Sequence, residues 1–233
     1  MKWSDYNVVL TRTVQGNKEW SKYLSDLGIN SVSLPMLNIV EKEIDYTTLL
    51  QPWDALIFTS SNAITIFTNH ISLQGHMYFK SLPSYCIGSQ TYQVAQELGY
   101  NNLLLINDDE RQFHKEAKIL WPCANSVIKD YDVNYRYIVK LVVYETVETK
   151  QLSITDRQIL SARPILCFFA SPSAVFAWKN LDLFNSYPNF AVAIGNTTAA
   201  AISTLNIPVF ATANQPNIEA MVVAVEQSLA NTI

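Results

Sequence analysis

Apolar runs alternate along this chain with stretches whose apolar residues recur at helical spacing. The runs predict strands at Val8–Leu10, Ser31–Leu34, Ala55–Phe58, Ser84–Ile87, Asn102–Ile106, Ile119–Trp121, Tyr137–Tyr144, Ile165–Phe169, Ala191–Ile194 and Val209–Phe210. Helical patterning falls at Asn17–Leu27, Ser61–His70, Gln90–Leu98, Pro172–Trp178, Thr197–Leu205 and Ile218–Leu229. Gly28 and Gly99 follow two of these helices as expected C-terminal stops. Strands alternating with helices of roughly ten residues predict parallel sheets with crossover helices. Residues 107–117 are polar and fit neither pattern, and polar connections are expected near 38–45 and 145–152.

The pattern also repeats. Phe58-Thr59-Ser60-Ser61-Asn62-Ala63 and Phe169-Ala170-Ser171-Pro172-Ser173-Ala174 each follow an apolar run. Ile87-Gly88-Ser89-Gln90-Thr91 and Ile194-Gly195-Asn196-Thr197-Thr198 each lead into a helical stretch. Ser60 to Ser171 is an interval of 111 residues, and Thr91 to Thr198 one of 107. Two loop pairs at nearly one interval imply two similar α/β lobes. The elements before residue 38 are too few for a stable domain alone. They are therefore expected to join the last set, giving a discontinuous lobe (1–37 with 153–233) of five strands. The inserted lobe (46–144) would have five of its own, with 38–45 and 145–152 lying side by side as a hinge.

Composition narrows the function classes. With 233 residues, 49% hydrophobic and 15% charged, the chain is a well-packed globular protein. A net charge of −4 without a basic stripe gives no reason to expect nucleic acid. No run approaches the ~20 apolar residues of a membrane span, and no apolar leader segment stands at Met1. Cys86, Cys123 and Cys167 are odd in number and lack C-x-x-C spacing, and Cys86 and Cys167 read as buried small hydrophobes. The expectation is a cytoplasmic protein without disulfides, and a monomer, since no large exposed apolar pattern appears.

The candidate chemistry lies in the loops after the strands, because ligands of open parallel sheets bind outside the strands' carboxyl ends. Thr11-Arg12, Ser60-Ser61-Asn62, Gly88 to Thr91, Ser171 to Ser173 and Gly195 to Thr198 all fall there. Ser, Thr and Asn are ordinary helix N-caps, so any one of these loops alone is a plain cap. Two matched pairs in order are more than that: helix N-terminal N–H groups attract carboxylate or phosphate, and glycine lets backbone approach a ligand. Arg12 is the basic side chain in such a loop. There is no G-x-G-x-x-G, no P-loop and no G-x-S-x-G elbow. His70, His76 and His114 share no ligand spacing, and Asp108-Asp109-Glu110 reads as a solvated loop, so no metal is expected. Tyr144 ends the strongest β-run, Ile138 to Val143, just before the second connection, which places it beside the expected cleft. A tyrosine, with an ordinary pKa of about 10, can donate a hydrogen bond to a leaving oxygen at neutral pH.

Together these residues carry a resemblance. The ordered set Val9 to Arg12, Leu34-Pro35, Asp54 to Ala63, Ile87 to Gly99, Val142 to Thr146, Phe168 to Ala174 and Ile194 to Ala199, closed by Ala213-Asn214-Gln215-Pro216 and a helix, resembles the uroporphyrinogen-III synthase family from about residue 8 to 229. The resemblance implies an α/β fold: two lobes, each a parallel sheet flanked by helices, joined by a two-stranded β connector. It implies no cofactor and no metal. The implied substrate is hydroxymethylbilane, a linear tetrapyrrole with eight carboxylates, cyclised with loss of water and inversion of ring D. The hydroxymethyl group leaves as water, the resulting azafulvene is attacked at the substituted carbon of ring D, and a spiro intermediate fragments and closes the other way. Because the bilane alone tends to close without inversion, the protein must chiefly control conformation. Tyr144 matches the family tyrosine taken to assist loss of the hydroxyl. Thr91, Ser171 and Thr198 match polar family positions facing the cleft. Ser60, Ser61, Asn62, Ser89, Ser173, Thr197 and Arg12 complete the expected binding set.

The chain departs from the family pattern in 119–136. There Leu120 to Asn125 contains no glycine, and no arginine is matched to the one the family carries after this strand. Asn206 stands where a helix-ending glycine is usual, and Asn217 where threonine is common; both can still serve as caps. Two rival readings have less support. A non-enzymatic two-lobed anion-binding protein would not require Tyr144 or the ordered loops. A nucleotide-dependent transferase lacks a phosphate fingerprint.

Overall fold

The computed structural model describes residues 2–231 apart from 72, 107–112, 114–115, 128, 132–136 and 188, and apart from the side chains of residues 73 and 74. The chain divides into two compact units, Met1–Asn38 with Val147–Ile233, and Ile39–Thr146.

The first unit is built on a five-stranded sheet of order β11-β10-β9-β1-β2, from β1 (Asn7–Leu10), β2 (Ser31–Ser33), β9 (Ile165–Phe169), β10 (Asn189–Ala193) and β11 (Val209–Thr212). Every neighbouring pair is parallel. Side-chain alternation divides each strand between two cores. Val8, Leu10, Leu166, Phe168 and Val192 pack with Trp20 and Leu24 of α1 (Val14–Asp26) and with Met221 and Val225 of α10 (Ile218–Ala230). Val9, Ile165, Cys167, Phe169 and Ala191 pack on the other face with Val175 and Trp178 of α7 (Pro172–Asn180) and Ile202 of α9 (Asn196–Ser203). Burying a side chain of the size of Leu10 or Phe168 contributes about 1.5–3 kcal/mol.

The second unit holds a six-stranded sheet of order β3-β8-β7-β4-β5-β6. Its strands are β3 (Leu37–Glu41), β4 (Ala55–Phe58), β5 (Ser84–Ile87), β6 (Leu103–Ile106), β7 (Ile119–Ala124) and β8 (Ile138–Glu148). Leu56, Phe58, Cys86 and Leu120 face α3 (Ser61–His70), α4 (Leu73–Ser81) and α5 (Ser89–Glu97) through Ile64, Phe67, Phe79 and Ala95. Ala55, Ile57, Tyr85, Ile119 and Trp121 pack on the other face with Phe113 and Tyr131.

Strand count and strand ends differ from expectation. The first part of the 38–45 connection is β3, which pairs with β8, so this sheet has six strands and not five. β8 itself runs past Tyr144 to Glu148, into the 145–152 connection. Both segments look polar because an edge pair leaves side chains in water: Lys42 and Glu145 form a 3.1 Å ion pair, and Lys42 N–H donates to Val143 O. The strand expected to stop at Trp121 continues through Pro122 to Ala124. Its ladder to β4 ends at Leu120, before the proline that has no N–H to give, while pairing with β8 continues. Short helices α2 (Tyr46–Leu49), α6 (Ile154–Ser161) and α8 (Leu183–Ser186), together with α4, were not expected either. The three cysteines are free and buried.

Candidate functional site

In the second unit the chain leaves β4 through Thr59 and Ser60 and enters α3. Ser60 is the N-cap, with extended backbone (φ −154°, ψ 132°), yet its side chain makes no capping hydrogen bond. Its Oγ instead lies 3.0 Å from the Tyr144 hydroxyl, 84 residues away in sequence. Tyr144 reaches this place through an irregularity in β8. Cys123 pairs with Val142 but Ala124 pairs with Tyr144, so Val143 is an extra residue in the strand. Strict alternation would send Val143 and Tyr144 to opposite faces; with the bulge both join the core that faces α3. Asn125 N–H donates to Tyr144 O at 2.8 Å and holds the main chain there. Trp121 Nε1 donates to Thr59 Oγ1 at 3.3 Å and ties the first loop to β7.

Ser60 and Tyr144 open onto a pocket of about 330 Å3, whose wall also includes Thr59, Ile87, Ser126 and Lys129. Tyr144 is only 7% exposed. The Lys129 ammonium stands 4.9 Å from the centre of the Tyr131 ring, another part of the wall. Thr59, Ser126 and Lys129 were missed in the sequence. The rule that found the other loops, polar residues just past a strand's carboxyl end, applies to Ser126 and Lys129 as well. The expected strand ends at Trp121, three residues before β7 ends at Ala124.

The remaining expected residues of this unit lie at helix starts. Ser61 and Asn62 are the first two residues of α3, half-buried, and outside the pocket wall. Ser89 is exposed at the first position of α5 and Thr91 is buried at the third. The N-cap of α5 is Gly88, with φ 88°, so no side chain caps that helix.

In the first unit the matched loops follow β9 and β10. Ser171 does cap its helix: its Oγ accepts from Ala174 N–H at 3.3 Å. Ser173 is exposed in the first turn of α7. Gly195 is the N-cap of α9, again without a side-chain cap, Thr197 is exposed at the second position, and Thr198 is buried at the third, as Thr91 is in α5. Thr11 Oγ1 donates to Phe168 O at 2.7 Å and fixes the end of β1 beside β9. Arg12 follows it but folds back: its guanidinium lies 4.6 Å from the centre of the Trp20 ring, and Nη1 donates to Gly16 O at 3.4 Å. Burial lowers the Arg12 pKa, and Glu19 pulls it back up. Of the expected site residues, then, the structure joins Ser60 and Tyr144 by a hydrogen bond and leaves the others as separate loop positions.

What this arrangement offers is hydroxyl groups, uncapped helix N-termini and one lysine. Among the described residues no group of His, Cys, Asp or Glu could hold a metal ion. Asp108-Asp109-Glu110 and His114 lie outside the described residues.

A family model described as uroporphyrinogen-III synthase HemD matches residues 18–223. The chain belongs to the uroporphyrinogen-III synthase family. Its reaction is the cyclisation of hydroxymethylbilane with inversion of ring D and loss of water, a step of haem biosynthesis. Among solved structures, uroporphyrinogen-III synthetase from Helicobacter pylori aligns over 97% of this chain and 99% of its own, with 21% identity and a TM-score of 0.68. A mutant uroporphyrinogen III synthase from Thermus thermophilus aligns over the same shares, with 11% identity and a TM-score of 0.55. At such identities the likeness is one of fold. No curated protein matches the sequence. Nothing in these matches favours the binding-protein alternative. No helix among the described residues is long and apolar enough to cross a membrane.

Proposed function

We propose that Tyr144 is the proton donor to the departing hydroxyl of hydroxymethylbilane. The helix starts that follow the strands then offer N–H groups to the substrate's carboxylates. The observation that carries this reading is the Tyr144 hydroxyl, hydrogen-bonded to Ser60 at 3.0 Å on the wall of a 330 Å3 pocket. The carbon–oxygen bond breaks with its electron pair on oxygen. That oxygen takes the Tyr144 proton and leaves as water, while the pyrrole nitrogen supplies electrons to the carbon. Closure at ring D later releases one proton, which restores the tyrosine, so the balance is the loss of one water.

An octacarboxylate suits a protein of net charge −4 if backbone amides do most of the binding. The helix starts at Ser61, Ser89 and Asn196 have no side-chain cap, so their first-turn N–H groups are available to carboxylates. Each such contact contributes about 0.3–2 kcal/mol. Ser61, Asn62, Ser89, Thr91, Thr197 and Thr198 belong to these turns, Ser173 offers its hydroxyl from the first turn of α7, which Ser171 caps, and Lys129 adds a side-chain cation at the pocket. Arg12 serves mainly by holding its loop against Trp20. In this reading 1–37 with 153–233 and 46–144 are the two domains, 38–45 and 145–152 the connector, and the enzyme works as a cytoplasmic monomer that does not bind nucleic acid.

The test supplies freshly made hydroxymethylbilane and chromatographs the oxidised products. The wild type should yield uroporphyrin III, and Tyr144→Phe should fold normally and turn over about a hundredfold more slowly, at the low end of the range for a lost proton donor. An unchanged rate in Tyr144→Phe would sink the donor role. Type I product alone from the wild type would reject the substrate reading.

A further inference from the structure

We infer that Ser60 is the positioning residue for Tyr144, an assignment that rests on the donor reading above. The matched loops supply the internal control. Ser60 and Ser171 are both N-caps with nearly the same extended backbone, φ −154° and ψ 132° against φ −161° and ψ 156°. Ser171 uses its hydroxyl to cap Ala174 N–H, a contact worth about 1 kcal/mol. Ser60 has the same opportunity and does not take it; its hydroxyl is turned to Tyr144 at 3.0 Å. On the other side, the extra residue Val143 turns Tyr144 towards Ser60. Two departures from ordinary local structure, a surrendered cap and a bulge, therefore converge on one hydrogen bond at the pocket.

The bond has a direction that suits the chemistry. A serine hydroxyl has one proton to give and two lone pairs. When Ser60 O–H donates to the phenol oxygen, the Tyr144 proton points away from Ser60. After Tyr144 has passed its proton to the departing oxygen, the same Ser60 O–H donates to the tyrosinate. Ser60 never changes protonation state and need not touch the substrate; it acts through Tyr144.

A double-mutant cycle tests this with hydroxymethylbilane as substrate. Ser60→Ala should lower kcat about tenfold with KM within about twofold, a change of about 1.4 kcal/mol in the barrier. Ser60→Thr, which keeps the hydroxyl, should recover most of the rate. In the Tyr144→Phe background Ser60→Ala should cost nothing further, because there is no phenol left to orient; a coupling of this size is usual for groups in contact. A thermal melt checks folding of each variant, and Ser60→Cys offers a second, bulk-conserving probe if the alanine variant is unstable. An unchanged kcat in Ser60→Ala, or the same fold-loss in both backgrounds, overturns the assignment while leaving Tyr144 as donor. A full rate in Tyr144→Phe overturns the donor reading and this assignment with it.

Discussion

At Gly88 the backbone φ is 88°, a region that L-residues avoid, whereas its counterpart Gly195 has φ 175°, which any residue adopts. A methyl group built on Gly195 meets nothing within 4 Å, so neither strain nor packing requires glycine there. The two matched glycines thus separate backbone demand from ligand demand. Gly88→Ala should lower unfolding stability by about 1–2 kcal/mol in urea titration. Gly195→Ala should change stability by less than about 0.5 kcal/mol but raise KM for hydroxymethylbilane, because the added methyl stands beside the uncapped start of α9. An unaltered KM would remove that helix start from the binding set. Sequence showed both glycines and the residues around them. What it could not show is that Thr91 and Thr198 are buried while Ser89 and Thr197 are exposed, since this depends on how each helix rolls against its sheet. Nor could it show that Arg12 would pack on Trp20, because both a free and a stacked guanidinium are compatible with Thr-Arg after a strand.

Elements whose signals are local were legible. Gly28 and Gly99 close α1 and α5 with paired bonds, Ile29 N–H to Leu24 O and Gly28 N–H to Ser25 O in one, Tyr100 N–H to Ala95 O and Gly99 N–H to Gln96 O in the other. Asn206 takes the left-handed conformation expected of it (φ 57°), and Asn217 Oδ1 accepts from Ala220 N–H at 2.8 Å to cap α10. The capping box of α6, Ser153 with Asp156, is an equally local signal. Elements whose signals are non-local were not legible from local pattern: β3 and the last residues of β8 are implied only by the resemblance, as a two-stranded connector, and the Val143 bulge exists only because a partner strand is present, with no residue type to announce it. The cap asymmetry gives a stability prediction at this scale. Ser171→Ala should destabilise by about 1 kcal/mol in chemical denaturation through the lost cap. Ser60→Ala gives up no cap; its cost is that of one hydrogen bond at a hydrated pocket, about 0.5 kcal/mol or less. Equal losses from the two would mean that Ser60 caps α3 in solution.

For the whole molecule, apolar patterning established two α/β units because inner strands such as β4, β7 and β9 are covered on both faces and read as nearly continuous hydrophobic runs. The second unit buries two groups that titrate only in strong alkali. Burial raises the Cys86 thiol from 9.0 to about 11. Burial likewise raises Tyr100 from 10.0 to about 12, partly opposed by its hydrogen bond with Thr68 at 2.9 Å. Both are neutral when protonated, and the fold favours that form. Their stabilising effect is therefore complete below about pH 9. Above it the unfolded chain loses protons that the folded chain keeps, so stability falls through pH 9 to 11 for Cys86 and 10 to 12 for Tyr100. At about 1.4 kcal/mol per pKa step, Tyr100 accounts for about 2–3 kcal/mol of alkaline destabilisation, and Cys86 adds to it in the same direction. Urea midpoints measured from pH 8 to 12 should fall steeply in the wild type and less steeply above pH 10 in Tyr100→Phe, since the variant has no phenol to ionise on unfolding. Parallel curves would show that Tyr100 ionises equally well in the folded protein, and that the space between Phe58 and Thr68 admits water.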